Sequence, residues 1–152
     1  MLSHALLTLG FVAQVICQYG QYYKNTCVVQ PQGNADAAPA IEEAFARCGH
    51  NPNGRGKVVF LNETYNIKSF MNTTYLKNVD IDHQGTLLWS TDIKYWLNAS
   101  QPVGYQNQSS AWWFGGDGIH WYGHGYGTLD GNGQVCFSEH FLLYSIPDVG
   151  TT

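Results

Sequence analysis

The apolar residues of this chain follow two patterns, one helical and one strand-like. Early in the chain they recur at a spacing that places them on one helical stripe, formed by Ala37, Ile41, Ala44, Phe45 and Cys48. Asp36 can cap this helix, Pro39 suits its first turn and Gly49 suits its end. The pattern therefore predicts one amphipathic helix.

After this helix the apolar residues form short runs, which are typical of strands. The predicted strands are 57–61, 65–67, 79–82, 87–89, 111–114 and 119–122, and a strand-like piece at 27–29 precedes the helix. The segment from Asn98 to Ser110 is polar and contains Pro102 and Gly104. We interpret it as an excursion between strands and not as a linker between domains.

A faint internal repeat accompanies the strands. The sequence Gly-Thr-Leu at 85–87 recurs 42 positions later at 127–129, and Val58 and Val79 open strands 21 positions apart. A period near 21, doubled to 42, fits the coils of a parallel β-helix. A β-sandwich also uses many short strands, and the glycine-rich segments 115–118 and 130–133 suit either fold. Local pattern alone leaves this choice open.

The composition favours a folded, β-rich protein. Charged residues are 12% of the 152 residues, aromatic residues are 14%, and the 17 glycines suit many tight turns, so disorder is not expected. The net charge is −4 and no run of Lys or Arg occurs. Nucleic acid and membrane surfaces are therefore not expected partners.

The N-terminus has the pattern of a secretory signal. The segment from Ala5 to Ile16 is mostly apolar but too short to span a bilayer, and Val15-Ile16-Cys17 resembles a cleavage site before Gln18. We therefore expect a signal peptide at residues 1–17 and an extracellular mature chain at 18–152.

Secretion changes how the cysteines and asparagines are interpreted. An oxidising compartment favours pairing, and we predict a Cys27–Cys48 disulfide because these two cysteines lie close in sequence around the predicted helix. Cys136 is then expected to stay unpaired. Four Asn-x-Ser/Thr sequons predict N-glycosylation, at Asn62, Asn72, Asn98 and Asn107.

Several motifs, ordered along residues 25–135, resemble those of the polygalacturonase-type glycoside hydrolases. They are NADAAPAI at 34–41, KVVFL at 57–61, where Leu61 replaces the usual proline, and GYGTLDGNGQ at 125–134. The segments 85–89 and 102–107 are most similar to the fungal exo-acting branch. The resemblance implies an all-β fold, a right-handed parallel β-helix with the N-terminal helix capping one end. It also implies inverting hydrolysis of galacturonan in pectin; we expect no metal and no other cofactor.

The family's catalytic motifs are not found in this chain. The family carries its carboxylates in Asn-Thr-Asp and Asp-Asp motifs, followed by Gly-His-Gly and Arg-Ile-Lys; here only Gly123-His124-Gly125 matches by letters, and it precedes the 130–133 segment instead of following it. We interpret His124 as a turn residue, and the resemblance ends after Gln134. The expectation is the N-terminal part of an incomplete β-helix, with no catalytic residue and an uncovered last coil through which chains could self-associate.

Other candidate site residues have simpler structural explanations. Asp130 is expected to bind backbone amides of its own turn, and Asp80 and Asp82 are expected to form a solvated strand face. His120 and His124, four residues apart in a strand, would lie about 13 Å from each other, too far to share a metal ion.

Exposed aromatic residues are the candidates for sugar stacking. Trp112, Trp113, Trp121 and Tyr122 could stack on sugar rings, although alternation along a strand favours core packing for about half of them. A site for acidic galacturonan should be basic, and the seven Lys and Arg residues are scattered.

Two functions therefore remain open. The chain is the N-terminal part of a secreted exo-polygalacturonase-like hydrolase of pectin, inactive by itself, or it is a non-catalytic secreted carbohydrate-binding or decoy protein. Sequencing the transcript beyond the codon for Gln134 separates these hypotheses, because a continuing reading frame should contain the missing motifs.

Overall fold

The structure is a computed structural model that describes residues 25–104 and 108–135. The predicted signal peptide, Asn107 and Cys136 lie outside the described residues.

Strands dominate the described chain. In chain order the elements are β1 (Asn25–Val29), α1 (Ala38–Cys48), β2 (Gly56–Phe60), β3 (Thr64–Ile67), β4 (Met71–His83), β5 (Thr86–Trp89), α2 (Ile93–Ala99), β6 (Gln101–Val103), β7 (Gln108–Ser110), β8 (Trp112–Tyr122) and β9 (Thr128–Asp130).

Two parallel sheets organise these strands. One has the order β1-β2-β4-β8 and the other has the order β3-β5-β9. From β2 to β5, and again from β8 to β9, successive strands belong alternately to the two sheets. Each new strand pairs with the preceding strand of its own sheet. The strands β6 and β7 form a separate antiparallel pair. The architecture is therefore all-β with parallel sheets, and it resembles a β-helix rather than a sandwich of antiparallel sheets.

The register explains the internal repeat and corrects its period. Thr86 and Leu87 pair directly with Thr128 and Leu129, so the 42-residue spacing is one coil and not two coils of 21 residues. This coil is long because it contains α2, β6 and β7. Val58 pairs with Ile81, a spacing of 23 (81 − 58), and not with Val79.

Helix α1 matches the predicted helix, but its first turn is held differently. Ala37 occupies the N-cap position and Asp36 lies one residue earlier. The Asp36 carboxylate accepts hydrogen bonds from the backbone N–H groups of Ala38 (3.1 Å) and Lys68 (2.8 Å) and from the Ser69 hydroxyl (2.6 Å). Asp36 therefore accepts an N–H group of the first turn of α1, as a capping residue does, and also ties that turn to the segment that follows β3.

Several elements differ from the sequence interpretation: β4 begins earlier than predicted, and β6, β7 and β9 were not predicted. Helix α2 was not predicted, and it begins where the Asp92 carboxylate accepts the N–H of Tyr95 at 2.9 Å. Strand β8 is continuous where two strands were predicted. Its Gly116, at φ +146°, lies against the backbone of Leu76, close to an irregularity in the pairing of β4 with β8.

The core lies between α1 and the sheets. Its largest fully buried side chains include Tyr65, Phe45, Phe60, Ile41 and Ile67. Cys27 on β1 and Cys48 at the end of α1 form the predicted disulfide, with Cα atoms 5.8 Å apart. This bond attaches α1 to the edge of the four-stranded sheet, since β1 is that sheet's first strand.

Candidate functional site

A cluster of charged side chains lies on the four-stranded sheet, on the side opposite the core. The register places Lys57, Asp80 and His120 side by side on β2, β4 and β8, and it places Asp82 beside Tyr122. Because alternate residues of a strand point to opposite faces, these side chains project away from buried Val79 and Ile81.

The Asp80 carboxylate is buried by its partners. It accepts a hydrogen bond from Nε of Arg55 and lies 3.2 Å from Nδ1 of His120, and only 6% of its side chain is exposed. The Arg55 guanidinium also donates to the carbonyl of Gly118 at 3.0 Å. Arg55 therefore links β4 to β8.

The Asp82 carboxylate has three partners. Nζ of Lys57 lies 2.7 Å from it, Nε2 of His124 lies 2.8 Å from it and the Gln84 amide donates to it at 3.0 Å. Burial alone raises the pKa of this carboxyl, but the three hydrogen bonds and the charge of Lys57 lower the pKa to about 2. The expectation of a solvated acidic face was therefore wrong, because cations and imidazoles cover both carboxylates.

His124 lies in a tight turn, as its Gly-His-Gly context indicated, but it also makes a specific contact. The backbone N–H groups of Tyr126 and Gly127 both donate to the carbonyl of Gly123, at 3.0 and 2.7 Å. His124 has φ +53°, a left-handed conformation that is uncommon in residues other than glycine, although asparagine, aspartate and histidine adopt it more often than most. The conformation directs its imidazole back to Asp82 of the preceding coil.

Asp82 does not suit the acid role of an inverting acid–base pair. Inversion needs one protonated carboxyl as well as one carboxylate, whereas the depressed pKa keeps Asp82 ionised at ordinary pH. The Asp130 carboxylate accepts the N–H of Asn132 at 2.8 Å, which confirms its predicted turn role. This chemistry fits the expectation that catalysis resides elsewhere, although that expectation itself stays a prediction.

His120 and His124 each contact a different carboxylate. Within residues 25–104 and 108–135, no group of three or more His, Cys, Asp or Glu side chains could hold a metal ion.

The three tryptophans proposed for sugar stacking pack against other aromatic rings. Trp112 donates its indole N–H to the Thr73 hydroxyl at 2.9 Å, and Trp121 donates to Nδ1 of His83 at 3.3 Å. Both pack on the core, and Trp113 lies edge-on against Phe70. Sugar stacking by these residues stays a prediction, but their packing leaves each ring only partly accessible.

The sequons that the structure describes lie on the surface. Asn62, Asn72 and Asn98 are all exposed. The Asn72 side chain accepts hydrogen bonds from the N–H and hydroxyl of Thr74, the third residue of its own sequon. N-glycosylation at these positions stays a prediction. No helix in the described part of the chain is long and apolar enough to cross a membrane.

Comparisons with known proteins give relatives by sequence but none by structure. No family model matches the chain, and no solved structure matches it. It is 38% identical over 126 residues to Exopolygalacturonase X of Aspergillus niger, which is 82% of this chain and 27% of that protein. It is 44% identical over 115 residues to Putative galacturan 1,4-alpha-galacturonidase A of Aspergillus niger, 74% of this chain and 26% of that protein.

Another relative is named for a different glycosidase activity. The chain is 54% identical over 116 residues to Alpha-L-rhamnosidase rgxB of Aspergillus niger, which is 75% of this chain and 26% of that protein. The chain thus spans about a quarter of the length of these curated relatives. Since the similarity to the exopolygalacturonases covers most of this chain and agrees with its motifs, the chain belongs to the polygalacturonase-type glycoside hydrolase family.

Proposed function

We propose that this chain is the N-terminal part of a secreted glycoside hydrolase that removes galacturonate units from galacturonan in pectin. The observation that carries the proposal is the identity to proteins named exopolygalacturonase and galacturan 1,4-alpha-galacturonidase, which extends over 74–82% of the chain. The parallel sheets and the alternating path of the chain support the right-handed parallel β-helix of the family, with α1 capping one end.

A second activity has its own support. The 54% identity to a protein named alpha-L-rhamnosidase exceeds the identities to the two relatives named for galacturonate. Family membership is compatible with either activity, so release of terminal α-L-rhamnose is the alternative. A third possibility, a non-catalytic secreted carbohydrate-binding or decoy protein, is favoured if no continuation of the chain is expressed.

The role proposed for this chain within the enzyme is structural. Its disulfide, its helix α1 and its stacked coils would form one end of the β-helix, on which further coils could stack. Asp82 of the charged cluster would not supply the general acid, because Lys57 and its other partners hold it ionised. We therefore propose that the chain alone does not hydrolyse pectin.

The test is to sequence the transcript beyond the codon for Gln134, to express the full reading frame that it contains and to collect the secreted protein. The product is incubated separately with polygalacturonate and with p-nitrophenyl α-L-rhamnopyranoside, and a secreted protein from the same host without the insert is the control. Release of galacturonic acid monomer supports the proposal. Release of nitrophenol alone supports the rhamnosidase, and neither product, or the absence of a continuing frame, contradicts both enzymatic proposals.

A further inference from the structure

Four exposed rings form a surface at the end of β8 and in the turn after it. Tyr122 is 48% exposed and Tyr126 is 58% exposed, and the side chains of His120 and His124 are 55% and 41% exposed. The rings are arranged in pairs, with His124 stacked on Tyr126 at 5.8 Å and His120 edge-on to Tyr122 at 6.2 Å. We call these four residues the tyrosine–histidine face.

The four rings lie around the same two carboxylates. His120 and Tyr122 are the register neighbours of Asp80 and Asp82, and the turn brings His124 to Asp82. Tyr122 and His124 therefore both lie beside Asp82, and His120 and Tyr122 lie on the opposite side of β8 from the core-packed ring of Trp121.

The polar groups of this face are fixed in position. His120 directs Nδ1 to Asp80 and His124 directs Nε2 to Asp82, an arrangement that leaves the other nitrogen of each imidazole for another partner. The carboxylates are held in turn by Arg55, Lys57 and Gln84. Side chains fixed in this way can bind a ligand without losing much further conformational freedom.

This arrangement is a costly way to stabilise a strand pair. Partly buried ion pairs are often no better for stability than apolar residues, and few residues other than glycine adopt a left-handed conformation. Groups of this kind concentrate at functional sites. The tyrosine–histidine face therefore fits a binding role better than a purely structural one.

The charged residues beside the tyrosine–histidine face indicate which kind of ligand it can bind. Arg55 and Lys57 are paired with Asp80 and Asp82, so the two cations that contact this surface are already neutralised. A uronate carboxylate would gain little there, whereas an uncharged sugar ring can stack on a tyrosine and exchange hydrogen bonds with imidazoles.

From these contacts we infer that the tyrosine–histidine face binds an uncharged sugar residue of a pectin-derived oligosaccharide. The sugar ring stacks on Tyr126 or Tyr122, and its hydroxyl groups bind the outward nitrogens of His120 and His124. This inference rests on the proposed function for its ligand class, but it concerns binding by the chain itself and not hydrolysis.

Calorimetric titration of the secreted chain at pH 7.5 tests the inference. The probes are L-rhamnose and D-galactose, which are uncharged, and trigalacturonate, which is not. We expect an uncharged sugar to bind more tightly than trigalacturonate. Tyr126→Ala should weaken that binding by about fivefold or more, because it removes one stacking ring. Tyr75→Ala, which removes a 39% exposed tyrosine that contributes no ring contact to this face, is the matched control and should bind as the wild type does.

Tyr122→Ala is the second variant, and a thermal melt of every variant shows whether it is folded. The inference is overturned if the wild type binds neither uncharged sugar, if trigalacturonate binds more tightly, or if both folded tyrosine variants bind normally. Loss of binding in Trp113→Ala but not in the tyrosine variants would also overturn it, by moving the site to the tryptophans. None of these outcomes affects the hydrolysis test of the proposed function.

Discussion

The buried imidazole of His83 accepts a hydrogen bond from the indole N–H of Trp121, with 3.3 Å between Nδ1 and Nε1. Because an indole N–H only donates, Nδ1 is unprotonated and the neutral ring carries its proton on Nε2. Nε2 has no partner in the described structure, and the ring packs edge-on against Phe60 and Trp121. The contact joins β4 to the next coil only while His83 is neutral.

This contact predicts a loss of stability in mild acid. Burial lowers the pKa of His83, so the folded state binds a proton less readily than the unfolded state does. Stability should therefore be fully present above the unfolded pKa of about 6.5 and should fall as the pH drops below it. Urea unfolding at pH 7.5 and 5 measures the decrease. His83→Gln, which can still accept from the indole but does not titrate, should show a smaller decrease, and an equal decrease would contradict this role.

A second decrease is expected at lower pH, from Asp82. Its folded pKa of about 2 lies below the ordinary value of 3.8, so its stabilisation is present above pH 4 and is lost as the pH falls toward 2. The shift corresponds to at most about 2 kcal/mol. Asp82→Asn should remove this acid-sensitive part of the unfolding free energy, while Asp117→Asn, at an exposed position of β8, should retain it. Parallel pH profiles of wild type and Asp82→Asn would argue against the proposed contacts.

The disulfide should make a large contribution to stability. Cys27 and Cys48 are 21 residues apart, and closing a loop of that length stabilises a fold by about 3 kcal/mol. The Cys27→Ala/Cys48→Ala double variant should lose about that amount in urea unfolding. Adding a reductant should destabilise the wild type but not the double variant, and equal sensitivity to the reductant would contradict the pairing.

Gly127 should tolerate no side chain, because the preceding coil lies against it. A Cβ there would come within 2.3 Å of the His83 carbonyl oxygen, whereas a Cβ on Gly131 would meet nothing within 4 Å. Overpacking of this kind costs about 1–3 kcal/mol. Gly127→Ala should therefore lower the melting temperature while Gly131→Ala leaves it nearly unchanged. Similar melting temperatures for the two variants would mean that the coils are not packed as described.

The same close approach shows why the sequence revealed the repeat. Gly85 lies against the carbonyls of Leu61 and Glu63, and Gly127 lies against that of His83. Because each glycine has no side chain, the backbone of the preceding coil can pack closely against it. The Gly-Thr-Leu motif therefore marks the same position in two successive coils. The period was misinterpreted because helix α2, with its Leu97 80% exposed, has no apolar face that a periodicity search could detect.

Sequence reasoning missed the charged cluster because its ion pairs join residues that are 25 to 42 positions apart. The only available signal was the matching alternation of Asp80 and Asp82 on one strand with His120 and Tyr122 on another. Recognising it requires the register, which the local pattern does not provide. The Cys27–Cys48 pairing was easier to predict, since the two cysteines are only 21 residues apart and lie on either side of the start of α1.

The most direct test of the account is to incubate the purified secreted chain, residues 18–152, with polygalacturonate and to follow reducing ends. A commercial exopolygalacturonase and a mock purification are the controls. We expect no release above the mock purification, because Asp82 is held ionised and cannot protonate the leaving oxygen, and the Asp130 carboxylate accepts a backbone N–H of its own turn. Release of galacturonic acid that Asp130→Asn or Asp82→Asn abolishes would contradict the account and would place catalysis within this chain.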